Sequence, residues 1–106
     1  MDKMKEITTD ELKTLLLQNE PVHIVDVRED EEVAMGMIPN AKHIPMNEIP
    51  DHLKEFHQNQ TYYIVCAGGV RSAKVVEYLN DHDIEAVNVE GGMHAFGNEG
   101  LDYPRI

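Results

Sequence analysis

Apolar residues in this chain come in short blocks whose spacing switches repeatedly between strand-like runs and helical faces. Lys5-Glu6-Ile7 predicts a brief first strand. Thr8-Thr9-Asp10-Glu11 has the composition of a capping box, and Leu12, Leu15 and Leu16 after it fall on one helical face. Val22-His23-Ile24-Val25-Asp26-Val27 is almost continuously apolar, the pattern of a strand covered on both faces. The acidic Glu29-Asp30-Glu31-Glu32 suits the first turn of a short helix, where negative charge meets the positive end of the helix dipole.

Gly36-Met37-Ile38-Pro39-Asn40 is a break, and Ala41-Lys42-His43-Ile44 reads as a short strand stopped by Pro45. Residues 47–56 suggest another helix, with Leu53 and Phe56 on one face. Thr61-Tyr62-Tyr63-Ile64-Val65 is a fourth strand, and a helix follows in which Ser72, Val75, Val76 and Leu79 share a face. Glu85-Ala86-Val87-Asn88-Val89 is the last strand, and Gly91-Gly92 turns the chain into a final short helix near Met93-His94-Ala95-Phe96. Strands alternating with helices throughout predict an α/β fold, a parallel sheet with helices on both faces. Ligands of such sheets bind beyond the carboxyl ends of the strands.

With 106 residues the chain has room for a single core, so we expect one domain over 1–106 with its body at about 5–100. One cysteine excludes an internal disulfide and suits a reducing compartment. The N-terminus lacks an apolar signal segment and no run is long enough to span a membrane, so the expected location is cytoplasmic. A net charge of −11 argues against nucleic acid or an anionic membrane surface as partner. It also opposes an anionic substrate at long range. Screening over about 10 Å at ordinary salt lets a local cradle dominate close in.

The chemistry concentrates at Cys66-Ala67-Gly68-Gly69-Val70-Arg71-Ser72, where the fourth strand ends and a helix begins. Such a turn aims several main-chain N–H groups and the positive end of a helix at one point. A thiol there should ionise readily and act as a nucleophile. By default a lone cysteine is an inert, buried side chain, but the flanking glycines, arginine and helix start point to a reactive one. Gly68 and Gly69 permit backbone angles closed to other residues. Arg71 adds a permanent charge, and at a helix N-terminus it needs an anion or carboxylate as partner. We read it as a substrate-binding residue or a pin for the loop. Ser72 is expected to cap the helix with its hydroxyl facing the loop. Asp26 and Arg28 suit a structural pair that fixes neighbouring loops. His43 and His94 fall near the same edge, but an anion cradle needs no base. The six histidines are dispersed and no second thiol is present, so no metal site or cofactor is implied.

These residues resemble the rhodanese family over almost the whole chain. Asp26-Val27-Arg28 is similar to its Asp-x-Arg, and Gly36-Met37-Ile38-Pro39-Asn40-Ala41 to its Gly-His-Ile-Pro-Gly-Ala turn. The stretch from Cys66 through Arg71 resembles its six-residue active loop, and Gly91-Gly92 with Ala95-Phe96 its closing segment. The resemblance implies a three-layer α/β/α fold around five parallel strands. It implies a sulfurtransferase that takes sulfane sulfur from thiosulfate or another persulfide or polysulfide donor. Cys66 would hold that sulfur as a persulfide, cradled by Ala67, Gly68, Gly69, Val70, Arg71 and Ser72. A thiophilic acceptor such as cyanide or a thiol would remove it, and a donor or acceptor protein could serve as partner.

Three positions depart from the family pattern. Met37 and Phe96 replace a histidine and a tryptophan that the family often has, changes of packing rather than chemistry. Ala67 stands where thiosulfate-using members often carry a basic residue, which leaves the donor open. Three other readings stay in view. One is a persulfide relay between proteins. The second is a cysteine phosphatase or arsenate reductase on the related fold. Those enzymes place five residues between cysteine and arginine, whereas only Ala67, Gly68, Gly69 and Val70 intervene here. The third is a non-catalytic binding module, a class that often lacks the cysteine retained in this chain.

Overall fold

The computed structural model describes residues 4–18 and 20–103; the two ends of the domain expected over 1–106 lie outside the described residues. The elements run β1 (Glu6–Ile7), α1 (Thr9–Leu16), β2 (His23–Asp26), α2 (Asp30–Val33) and β3 (Lys42–His43). A 3₁₀ helix (Met46–Glu55) follows, then β4 (Thr61–Val65), α3 (Val70–Asp81), β5 (Glu85–Val89) and α4 (Gly92–Phe96). The five strands form one sheet in the order β1-β5-β4-β2-β3, every pair parallel. Among the described residues no helix is long and apolar enough to cross a membrane.

Residues next to each other along β2 and β4 face opposite ways, and each face builds its own core. Val25, Ile64 and Cys66 meet Val75, Val76 and Leu79 of α3 together with Ile49 and Phe56. Ile24 and Val65 meet Leu12 of α1 and Met93 and Phe96 of α4. That double burial is why these strands read as continuous apolar runs. Two of the three departures from the family pattern, Met37 and Phe96, are buried in the interior. Met37 is buried and exchanges two 2.8 Å backbone bonds with Asp102, and the Lys13 ammonium lies 4.8 Å from the centre of the buried Phe96 ring.

Both short helices start as their sequences predict. Thr8 and Glu11 form a reciprocal capping box at α1, and at α2 the Glu29 N–H donates to Glu32 Oε1 at 2.9 Å. Two expectations need correction. The segment after β3 winds as a 3₁₀ helix, with Pro50 inside it removing an amide that an α-helix would use. On α1 only Leu12 is fully buried, while Leu16 is 36% exposed, so the apolar face is narrower than its leucines suggest.

In register, Asp26 lies beside Val65 and Asn88 beside Ile64. The chain therefore leaves β2 and β4 at the same edge, which brings Arg28 and Cys66 together beyond the carboxyl ends of the strands.

Candidate active site

Cys66 is the first residue past β4. Three residues later Gly69 adopts φ 101°, and α3 starts directly after it with Gly69 as N-cap and no capping side chain. The Cys66 sulfur takes the place of that cap. Sγ accepts from Gly69 N–H at 3.1 Å and from Ser72 N–H at 3.4 Å, and Ser72 Oγ lies 3.3 Å away. A thiol thus sits where a helix N-terminus holds a carboxylate or hydroxyl. Ser72, expected as the cap, lies in the first turn instead, and its hydroxyl donates to Asn88 Oδ1 at 2.6 Å.

The loop is held from outside by its carbonyls. Met93 N–H donates to Cys66 O at 2.8 Å and His94 N–H to Ala67 O at 2.9 Å, both from α4. With the carbonyls turned outward, the amides turn in. Burial pushes the Cys66 thiol up. Hydrogen bonds from the main-chain amides of Ser72, Gly69 and Gly68 act against it, and the thiol lies below its ordinary value. Cys66 itself is 1% exposed, so the sulfur lies beneath the loop rather than on it. Val70 points outward and is 70% exposed.

Arg71 gives Nη1 to Glu32 Oε1 at 2.6 Å and Nη2 to Glu32 Oε2 at 2.8 Å. This is the carboxylate that an arginine at a helix N-terminus requires. The pairing holds the Glu32 carboxyl down at about 2 and raises the guanidinium further above its ordinary value. Behind it, Arg28 binds Asp26 through Nε and Nη2, at 3.0 and 2.8 Å. Both residues are buried. Arg28 also donates from Nη2 to Gly36 O at 2.8 Å and from Nη1 to Glu32 O at 3.3 Å. The Asp26–Arg28 pair therefore anchors α2, and α2 carries the residue that holds Arg71. His43 Nε2 lies 2.7 Å from Arg28 O, in the same scaffold.

A cleft of about 550 Å³ opens beside the loop, lined in part by Arg28, Glu32, Met35, Ala67, Met93 and His94. Met35 is 77% exposed at its rim. No group of three or more metal-ligating side chains occurs among the described residues.

Two residues of the site were not singled out from the sequence, Glu32 as partner of Arg71 and Asn88 as partner of Ser72. Asn88 did leave a signal, a lone amide inside the apolar run of β5.

The rhodanese-like domain model matches residues 8–99. YtwF of Bacillus subtilis is 44% identical over 97 residues, covering 92% of this chain and 94% of that protein. A sulfurtransferase of Allochromatium vinosum is 35% identical over 99 residues, 92% of each. The crystal structure of a rhodanese-like domain protein from Staphylococcus aureus superposes with a TM-score of 0.94 at 70% identity, covering 96% of this chain and 100% of that one. The matched span takes in both the amide-ringed thiol and the scaffold beneath it, and the chain belongs to the rhodanese-like domain family, among relatives named as sulfurtransferases.

Proposed function

We propose that this protein is a sulfurtransferase that accepts sulfane sulfur on Cys66 and hands it to a thiophilic acceptor such as cyanide or a thiol. In the first step the Cys66 thiolate attacks the outer sulfur of the donor. A new S–S bond forms as the donor's own S–S (or S–sulfonate) bond breaks, and the electron pair leaves with the donor's remainder. In the second step the acceptor attacks the outer sulfur, the persulfide bond breaks, and the thiolate returns. Electrons balance without an added oxidant, reductant or metal. The observation that supports this reading is the convergence of the Gly69 and Ser72 amides on one sulfur, at 3.1 and 3.4 Å. Such donors stabilise a thiolate and accommodate charge on a departing or attacking sulfur. A lone thiol of this kind stays reduced in the cytoplasm, where we place the protein.

Charge favours a persulfide donor over thiosulfate. Arg71 is matched by Glu32 and Arg28 by Asp26, so both guanidiniums near the loop already face a carboxylate when the second charge of thiosulfate arrives. Ala67 brings no charge of its own. This supports the relay reading, in which a small or protein-borne persulfide supplies sulfur. Intact-protein mass spectrometry tests both levels. Incubation with a thiol persulfide should add one sulfur atom, absent in Cys66→Ser and removed by cyanide, while thiosulfate loads more slowly. No adduct with any donor would end the sulfurtransferase reading, and faster loading by thiosulfate would end the preference.

A further inference from the structure

Behind the thiol, Ser72 Oγ lies 3.3 Å from Cys66 Sγ and 2.6 Å from Asn88 Oδ1. Cys66, Ser72 and Asn88 are all buried. A hydroxyl carries one hydrogen, so Ser72 donates to only one of these two neighbours. The Asn88 amide decides which. Its Nδ2 lies 3.0 Å from Glu6 Oε2 and 3.3 Å from Gly69 O. Both are acceptors, so both amide hydrogens are committed and the amide oxygen must face Ser72. Reversing the amide would set its oxygen against a carboxylate and a carbonyl. The Ser72 hydrogen therefore goes to Asn88, and toward the sulfur Ser72 presents a lone pair. That lone pair accepts S–H from a neutral thiol and repels a thiolate.

We propose that Asn88 is a positioning residue: by holding the Ser72 hydrogen away from Cys66, it leaves the thiolate to the main-chain amides alone and keeps the sulfur more basic than a donating hydroxyl would. A more basic thiolate attacks a donor faster and departs from a persulfide more slowly. Asn88 would thus bias the site toward loading sulfur over releasing it. This consequence rests on the sulfur-transfer reading; the position of the proton does not.

Of the other charged or titratable groups around the thiol, only Glu6 is bonded to Asn88 and loses a hydrogen bond in Asn88→Ala. Arg71 of α3 is paired with Glu32 of α2, and Arg28 with Asp26 at the end of β2. His94 of α4 stands against the loop at Gly68, and Glu6 of β1 faces Asn88.

The test is the ultraviolet absorbance of the thiolate across pH, with Cys66→Ser as blank, so that it reads ionisation and not turnover. Asn88→Ala should lower the midpoint by about one pH unit, tenfold in thiolate at a given pH below it. Ser72→Ala should leave the midpoint unchanged or lower it. In the double variant the effect of Asn88→Ala should vanish. Should Asn88→Ala not fold, Asn88→Val, which suits a buried strand and also removes the acceptor of the Ser72 hydrogen, should lower the midpoint more with Ser72 present than in Ser72→Ala. A raised midpoint in Ser72→Ala overturns the proposal. So does an unmoved midpoint in a folded Asn88→Ala, or a shift of equal size with and without Ser72.

Discussion

Arg71 and Glu32 join the Cys66 loop to α2 through two parallel hydrogen bonds of 2.6 and 2.8 Å. Planarity matters in this pair as much as charge, because a guanidinium engages both carboxylate oxygens and an ammonium engages them as a point charge. Arg71→Ala leaves Glu32 unmatched beside the thiolate and frees the first turn of α3. We expect kcat/KM for sulfur transfer to fall at least about tenfold. Arg71→Lys should recover less than half of the loss on a logarithmic scale. Steady-state kinetics with one donor and cyanide as acceptor checks this, and full recovery by lysine would show that charge alone matters.

The same pair makes stability depend on pH. The Glu32 carboxyl is held at about 2 in the folded protein against an ordinary 4.5. A group depressed on folding stabilises fully above its unfolded value and loses that contribution as pH falls through the folded one. The window is thus from about 4.5 down to about 2. Thermal melts of the protein and of Glu32→Gln should differ most above this window and converge within it. A gap that widens on acidification would contradict the pairing.

Much of the fold was legible because its signals are local. The continuous runs of β2 and β4, the capping box of α1, the acidic first turn of α2 and the Cys66 loop each lie within a few residues of sequence. Pro50 was an equally local sign against an α-helix over 47–56, and it prevailed. The site's outer partners were not legible in that way. Glu32 and Arg71 are 39 residues apart, and Glu6 and Asn88 are 82 apart, so only sheet order brings them together. Ser72 shows the limit most clearly. Its residue type suggested a cap, but the sulfur had taken the cap position and sheet pairing supplied Asn88 as the hydroxyl's partner.

Gly92 is the point where α4 touches the loop most closely. A Cβ built there would stand 2.3 Å from Cys66 O and 2.6 Å from Ala67 O, at a φ of +56°. Those carbonyls are main chain and cannot rotate aside. Gly92→Ala should destabilise the fold by about 1–3 kcal/mol or more. It should also raise the thiol toward its ordinary value, because displaced carbonyls carry the inward amides with them. Urea unfolding together with thiolate absorbance measures both. Loss of stability with an unmoved thiol would mean that α4 supports the fold without shaping the cradle.

Asp26 and Arg28 are buried opposite charges, and removing one strands the other. Arg28→Met should cost about 3–5 kcal/mol. Its effect on chemistry should come through α2: the α2–Gly36 segment loses its anchor, and Glu32 loses its hold on Arg71. Donor KM should therefore rise more than kcat falls at a temperature where the variant is folded. A kcat loss at unchanged KM would give Arg28 a direct part in the chemical step, against the scaffold role its contacts describe.

Cys66 Sγ accepts from two main-chain amides yet the residue is only 1% exposed. A sulfur beneath a loop reacts with what reaches it through the cleft at Ala67, or with what waits for the loop to open. Reagent size should therefore separate two regimes. A small neutral thiol reagent should modify the native protein at a rate that follows the thiolate fraction as pH changes. A bulky aromatic disulfide should react far more slowly, at a rate independent of its concentration once opening is limiting. In mild urea the bulky reagent should gain much more than the small one. Equal rates for the two in the absence of denaturant would mean that the thiol stands open in solution. The loop would then not be the barrier that selects slender, terminal sulfur over larger electrophiles.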